Sequence, residues 1–456
     1  MKPRFLFAAM AAVSVTHAGS GWAQAFLSDP RVANGMGVKA GDFELHPGVA
    51  GEVGYDSNYF QRKGNSTTQP PSGPPSPPEP LIGAYRLRVT PSLSFETMGR
   101  RTAEEGGGPP PTLKLNGRLA ASYNALFASD SQYSSQVSNQ SNYISGNAGL
   151  GLDILPESVW GADLGGDVTR VIEASNDPDT ANAFRRDTIH GKAGINFRPG
   201  GGLFTWRLGY GFTANIFEES GFKGLNNTQH SAETQGNWTF LPRTALVYRG
   251  ELTWVSYGNS AAAANARHDG SIVRSQIGLN GLFTNHLGFL GLIGWGASFF
   301  DGATAQNVDT VIGQAEITWF PTPQPKLPSE GAPVGLSAVS LGYTRNFAIS
   351  YLGDYYRRDR GYASLSYFLA NRFVLTLTGG LSAIARPPVV QSGGAYQAPD
   401  GEKRVDAVAF FEYRPGDALG INLTFRYDAE LDHAYIATDD LMFSRYQAFL
   451  GLRWFL

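Results

Sequence analysis

The 456-residue sequence contains no cysteine. That excludes a disulfide framework, a lipoprotein anchor and any cysteine-based metal or nucleophilic site. Charge is scarce as well: 16% of residues are Asp, Glu, Lys or Arg, against about a quarter in ordinary soluble domains. The formal net charge of −3 lacks the basic excess that a nucleic-acid partner demands. Long hydrophobic runs are missing too. After residue 25 no apolar stretch reaches the roughly 20 residues of a membrane-spanning helix. What is present instead is glycine, at 56 residues, and aromatic side chains, at 12%. Few charges with much Gly, Tyr, Phe and Trp suit a protein whose exterior meets something other than water.

The first 25 residues, MKPRFLFAAMAAVSVTHAGSGWAQA, carry Lys2 and Arg4, then an apolar run from Phe5 to Val15, then Ala23-Gln24-Ala25. A basic start, a short apolar core and a small-x-small site form the pattern of a secretory signal peptide. The expected division is therefore a signal over 1–25 and one further domain over 26–456.

That domain consists of segments of about 10–14 residues with period-two alternation, each closed by turn residues. In INLTFRYDAE, Ile421, Leu423, Phe425 and Tyr427 fall on one face. Asn422, Thr424, Arg426, Asp428 and Glu430 fall on the other. RYQAFLGLRWFL, from Arg445, repeats the pattern. About eighteen such segments begin near residues 43, 82, 113, 140, 159, 185, 203, 229, 244, 270, 287, 307, 335, 355, 372, 403, 418 and 441. They exceed the usual soluble strand of about 5–6 residues and match tilted transmembrane strands with their rims.

Connections alternate in length. Leu155-Pro156-Glu157, Leu241-Pro242-Arg243, Asn285-His286 and Pro415-Gly416-Asp417 are short, whereas 56–81, 173–184, 258–269 and 386–402 are long and polar. Short turns at one end and long loops at the other are the layout of an outer-membrane barrel. The Pro/Gly-rich stretches 97–112 and 321–334 break the rule. With the first strand running outward, Trp160, Trp206, Trp238, Trp319 and Trp454 all fall beside the short turns. Tryptophan prefers the membrane interface, so these five form an expected aromatic girdle. The expected fold is all-β: a transmembrane, up-and-down antiparallel β-barrel of about 18 strands in the outer membrane of a Gram-negative bacterium. The stretch 56–81 becomes a long proline-rich extracellular loop. Tyr55 marks the lipid edge, and Asp56, Ser57 and Asn58 are the first residues expected in water.

Alternation also assigns an inner face. The residues expected to line the lumen and the path of the cargo are Arg86, Arg88, Arg118, Arg207, Arg249, Glu251, Arg274, Arg358, Arg360, Arg404, Asp406, Glu412, Arg414, Arg426, Asp428, Arg445 and Arg453. Most of these arginines are expected to solvate the wall and pair with carboxylates across strands. A barrel of 16–18 strands keeps an aqueous channel, and such a mixed-charge lumen suits a polar solute or polymer.

Enzymatic signatures are missing. There is no Gly-x-Ser-x-Gly elbow, His-Glu-x-x-His helix or Walker loop. The seven histidines are scattered, with none at ligand spacing. Asp177 and Asp179 in NDPDT lack the rest of a calcium loop and suit an exposed polar loop. No catalytic residue, cofactor or metal ligand is therefore expected.

The segment KAGDFELHPGVAGEVGYDSNYF resembles the opening of a family of bacterial outer-membrane β-barrel porins. The matching residues are Gly41, Phe43, Leu45, Pro47, Gly54, Tyr55, Asp56, Ser57, Asn58 and Phe60. The layout of about eighteen strands without a large periplasmic domain is similar to stand-alone barrels of myxobacterial exopolysaccharide systems. That resemblance implies a porin releasing a growing exopolysaccharide, together with a periplasmic polysaccharide-export protein. The terminal Gly451-x-x-Trp454-x-Leu456 is similar to the signal read by the barrel-assembly machinery, although it ends in Leu. Outer-membrane lipid and lipopolysaccharide complete the implied partners. Two other functions fit the same residues: a general or solute-selective diffusion porin, and an outer-membrane enzyme or adhesin on a barrel scaffold.

Overall fold

The computed structural model describes residues 37–456 apart from 72, 98–111, 139–142, 172–184, 219, 259–266, 303, 322–336, 351–352, 370–371, 388–389, 392–393, 398–400, 417 and 437–438. The signal over 1–25, the NDPDT segment and most of the two irregular Pro/Gly-rich stretches lie outside the described residues.

Eighteen long strands form the wall. The first six are β1 Phe43–Asp56, β2 Ala84–Thr97, β3 Leu113–Ala128, β4 Tyr143–Ile154, β5 Trp160–Val171 and β6 Arg186–Phe197. The next six are β7 Phe204–Phe217, β8 Asn227–Leu241, β9 Thr244–Tyr257, β10 Gly270–Thr284, β11 Leu287–Phe300 and β12 Asp309–Trp319. The last six are β13 Ala338–Ile349, β14 Tyr355–Leu369, β15 Phe373–Ala385, β16 Glu402–Gly416, β17 Leu419–Glu430 and β18 Phe443–Phe455. Every strand pairs antiparallel with its neighbours in sequence, and β1 pairs with β18 from Gly48–Phe455 to Asp56–Gln447. The sheet is therefore closed, and no edge is left for unpaired backbone groups. A short strand, Val38–Ala40, folds back on the start of β1.

Alternation sorts the two surfaces. In β11, Ile293, Trp295 and Phe299 are exposed on the outside while Leu292, Gly296, Ser298 and Phe300 are buried within. In β18, Tyr446, Leu450, Leu452 and Trp454 point out, and Arg445, Gln447, Phe449 and Arg453 point in. An apolar outer surface on a closed 18-stranded barrel is stable only in lipid. The short connections gather at one end. There Trp160, Trp238, Trp319 and Trp454 are exposed on the outside, and Trp206 stacks on Tyr248. Trp160 also lies 4.4 Å from the ring of Phe197.

Candidate functional site

The functional space is the lumen and its outer mouth. All seventeen residues expected along the lumen sit on the inward register of their strands, but nearly all of them are engaged by neighbours. Arg404 grips Asp428 with Nε 2.8 Å from Oδ1. Arg207 holds Asp163 through two bonds of 3.0 and 2.7 Å and reaches Glu233. Arg274 donates to Glu251 at 3.2 Å and to the Phe347 carbonyl at 2.9 Å. Arg360 and Arg358 share Asp406, and Arg88 donates to Glu52 at 2.6 Å. The fully buried Glu412 lies between Arg414 and Arg453. Arg445 binds Asp56, while Arg86 donates twice to Asn124. Arg118, Arg249 and Arg426 stand opposite Gly149, Gln235 and Gln447.

These pairs follow from the sheet. Arg88–Glu52 and Arg274–Glu251 stand directly opposite on adjacent strands, where Cβ atoms lie about 4.5–5.5 Å apart. Arg207–Asp163, Arg360–Asp406 and Arg453–Glu412 reach past one intervening strand. The wall thus presents paired charges of both signs held in fixed geometry. It offers a hydrogen-bonding surface along the lumen.

The outer mouth is narrowed by its loops. The loop 57–83 turns inward: Tyr59 and Ile82 pack with the inward-facing Ala84 and Leu126 and with Val137 of the short helix Ser134–Ser138. Its far side is tied to the adjacent loop that follows β17, since Thr68 Oγ1 donates to Asp440 Oδ2 at 2.7 Å. His433 Nδ1 lies 2.8 Å from the same oxygen. Lys63 is buried against Ser76 within the loop. On the opposite wall, Tyr257, Ile272, Phe300, Ile312 and Phe347 form an inner apolar cluster with Val308 of the loop after β11. His268 lies between Asp354 and Thr304, at 2.8 and 3.1 Å, joining the loops that follow β9, β11 and β13.

Two sequence expectations change here. Asp56 and Asn58, expected as the first residues in water, are 2% and 0% exposed. Asp56 is an inward seam residue, and Asn58 starts the inward turn by donating to the carbonyls of Arg62 and Ser444. The alternating lipid-and-lumen logic continues past Tyr55 because the loop folds in. The second change concerns histidine. His46, Glu44 and Glu96 bring their ligand atoms within 4.8 Å of one another. Sequence spacing missed this group because Glu96 belongs to the next strand; only the β1–β2 register places it opposite Glu44.

No family model and no curated protein matches the chain. Among solved structures, the outer membrane protein OpdK from Pseudomonas aeruginosa is similar at 12% identity, over 90% of this chain and 98% of that one, with a TM-score of 0.42. A structure of the same protein with vanillate gives 0.44 at the same identity and coverage. OccAB4 from Acinetobacter baumannii gives 0.44 at 9% identity, over 94% and 100% of the two chains. Nothing about this chain's solute is taken from them. Its own closed wall, apolar outside and charged within, defines an outer-membrane β-barrel protein of a Gram-negative bacterium.

Proposed function

We propose that this barrel is a diffusion porin for small polar solutes. The supporting observation is the inward-turned loop 57–83, packed on the β2–β3 wall at Tyr59 and tied to Asp440 at Thr68. A mouth into which a loop turns inward in this way suits a small solute more than a continuous polymer. The paired charges of the wall keep such a solute hydrated without strong preference for either sign. Lipopolysaccharide around the outer half and insertion by the barrel-assembly machinery through Gly451, Trp454 and Leu456 belong to the same reading.

The experiment is reconstitution of the purified protein into liposomes and swelling with sugars and amino acids of increasing mass. Rapid swelling with monosaccharides and a steep fall with size are expected. No swelling with any monosaccharide overturns the proposal. Exopolysaccharide release with a periplasmic export protein, the function implied by the family resemblance, is checked in a deletion strain. Loss of surface polysaccharide there, together with a barrel closed to sugars, would restore that reading.

A further inference from the structure

Glu44 of β1 and Glu96 of β2 are direct cross-strand partners, near the end of the barrel that carries the short turns. His46 lies two residues along from Glu44 and therefore on the same face. Like charges directly opposite on a sheet repel, and a cation between them relieves the repulsion. The Glu44 and His46 side chains are 10% and 9% exposed, with Oε1 and Nε2 3.7 Å apart. Glu96 is exposed on the lumen side. Gly37 closes the group from behind: its φ is +67°, and a Cβ there would lie 2.7 Å from His46 Cε1 and 2.8 Å from Glu44 Oε1. Only glycine lets the chain pass so close to these two side chains.

We propose that Glu44, His46 and Glu96 form a site for a divalent transition metal of the zinc class at the periplasmic end of the lumen. One imidazole and two carboxylates supply the nitrogen and oxygen donors such an ion takes, with a fourth position open to lumen water. Calcium and magnesium are disfavoured, because they take oxygen ligands almost exclusively. The ligand atoms now span up to 4.8 Å. A tetrahedral ion with bonds of about 2.0–2.2 Å needs them closer, and the exposed Glu96 side chain has the freedom to swing inward. Lys39, which stands opposite Glu44 in the register of the short hairpin, is a rival cation among the described residues.

The test is isothermal titration of the full-length, chelator-stripped protein in detergent with Zn2+, supported by the visible absorption of Co2+. One saturable site per chain is expected. His46→Gln and Glu96→Gln should each weaken it by more than the roughly tenfold that loss of a ligand-orienting partner costs. Glu79→Gln, in the loop at the opposite end of the barrel, should leave it unchanged. Heat-modifiable migration on gels confirms that each variant is a folded barrel. No saturable uptake at millimolar Zn2+ overturns the site, and so does equal affinity in His46→Gln and Glu96→Gln. Uptake seen only in Lys39→Ala assigns the lysine as the native counter-ion and also overturns it.

Discussion

Arg445 of the last strand holds Asp56 of the first. Its Nε lies 3.0 Å from both carboxylate oxygens, across 389 residues of sequence and at the seam where the barrel closes. Gln447 adds a bond of 2.7 Å to the same carboxylate, and the Asn58 backbone N–H donates at 3.1 Å. The Gly-Tyr-Asp-Ser-Asn motif therefore acts in closure. Its Asp receives the terminal strand, and its Asn starts the loop that narrows the mouth.

Removing the cation from this buried pair should be costly. Arg445→Ala takes the guanidinium from a buried carboxylate that Gln447 and the Asn58 N–H still hold, a change worth about 3–5 kcal/mol in comparable buried pairs. The variant is expected to unfold at a lower temperature, read as the shift between folded and denatured bands on gels. Asp56→Asn should be milder than Asp56→Leu, because the amide still accepts from Gln447.

Gly54 of the same motif sits against Phe449, and a Cβ there would meet the Phe449 ring and approach the Ala448 carbonyl oxygen to 2.5 Å. Gly54→Ala should destabilise by about 1–3 kcal/mol through overpacking. Adding Phe449→Ala should recover part of the loss, because the ring clash goes and the carbonyl contact stays. Thermal melting of the single and double variants checks the order.

The tie between the loop 57–83 and the neighbouring loop after β17 predicts a change in permeability. Asp440 accepts from Thr68, His433 and the backbone N–H of Met442. Asp440→Ala should release the loop 57–83 more fully than Thr68→Ala. Both should raise single-channel conductance and the mass limit in liposome swelling, with the aspartate variant further from wild type.

Alternation predicts opposite outcomes for charges placed one strand apart. Ile293, midway along β11, faces lipid at 64% exposure; Gln276 of β10 points into the lumen. Ile293→Arg should cost about 2–4 kcal/mol at the bilayer midplane and lower the yield of assembled barrel. Gln276→Arg should assemble normally and shift the zero-current potential in a salt gradient toward anion preference.

The strands were legible because their cause is local. Segments expected to start at 43, 113, 244, 270, 287 and 355 begin at Phe43, Leu113, Thr244, Gly270, Leu287 and Tyr355. Those expected at 140, 159 and 335 begin at Tyr143, Trp160 and Ala338. The two irregular stretches join neighbouring paired strands, β2 with β3 and β12 with β13, so they interrupt turn length without changing the number of crossings. The inner register of the arginines was legible for the same reason. Their partners were less so: Arg207 with Asp163 and Arg274 with the Phe347 carbonyl depend on strand stagger and reach across the wall.

By itself the sequence determined a closed barrel in the outer membrane, of about eighteen crossings, and the two faces of each strand; the exact count came from the closed sheet. Lipid outside and water inside impose a two-residue period that every strand must carry in its own residues. Tertiary structure alone decided the shape of the mouth, the seam partner of Asp56 and the meeting of Glu44, His46 and Glu96. Those contacts join residues far apart in the chain, and they exist only once closure and register have set which side chains stand opposite one another.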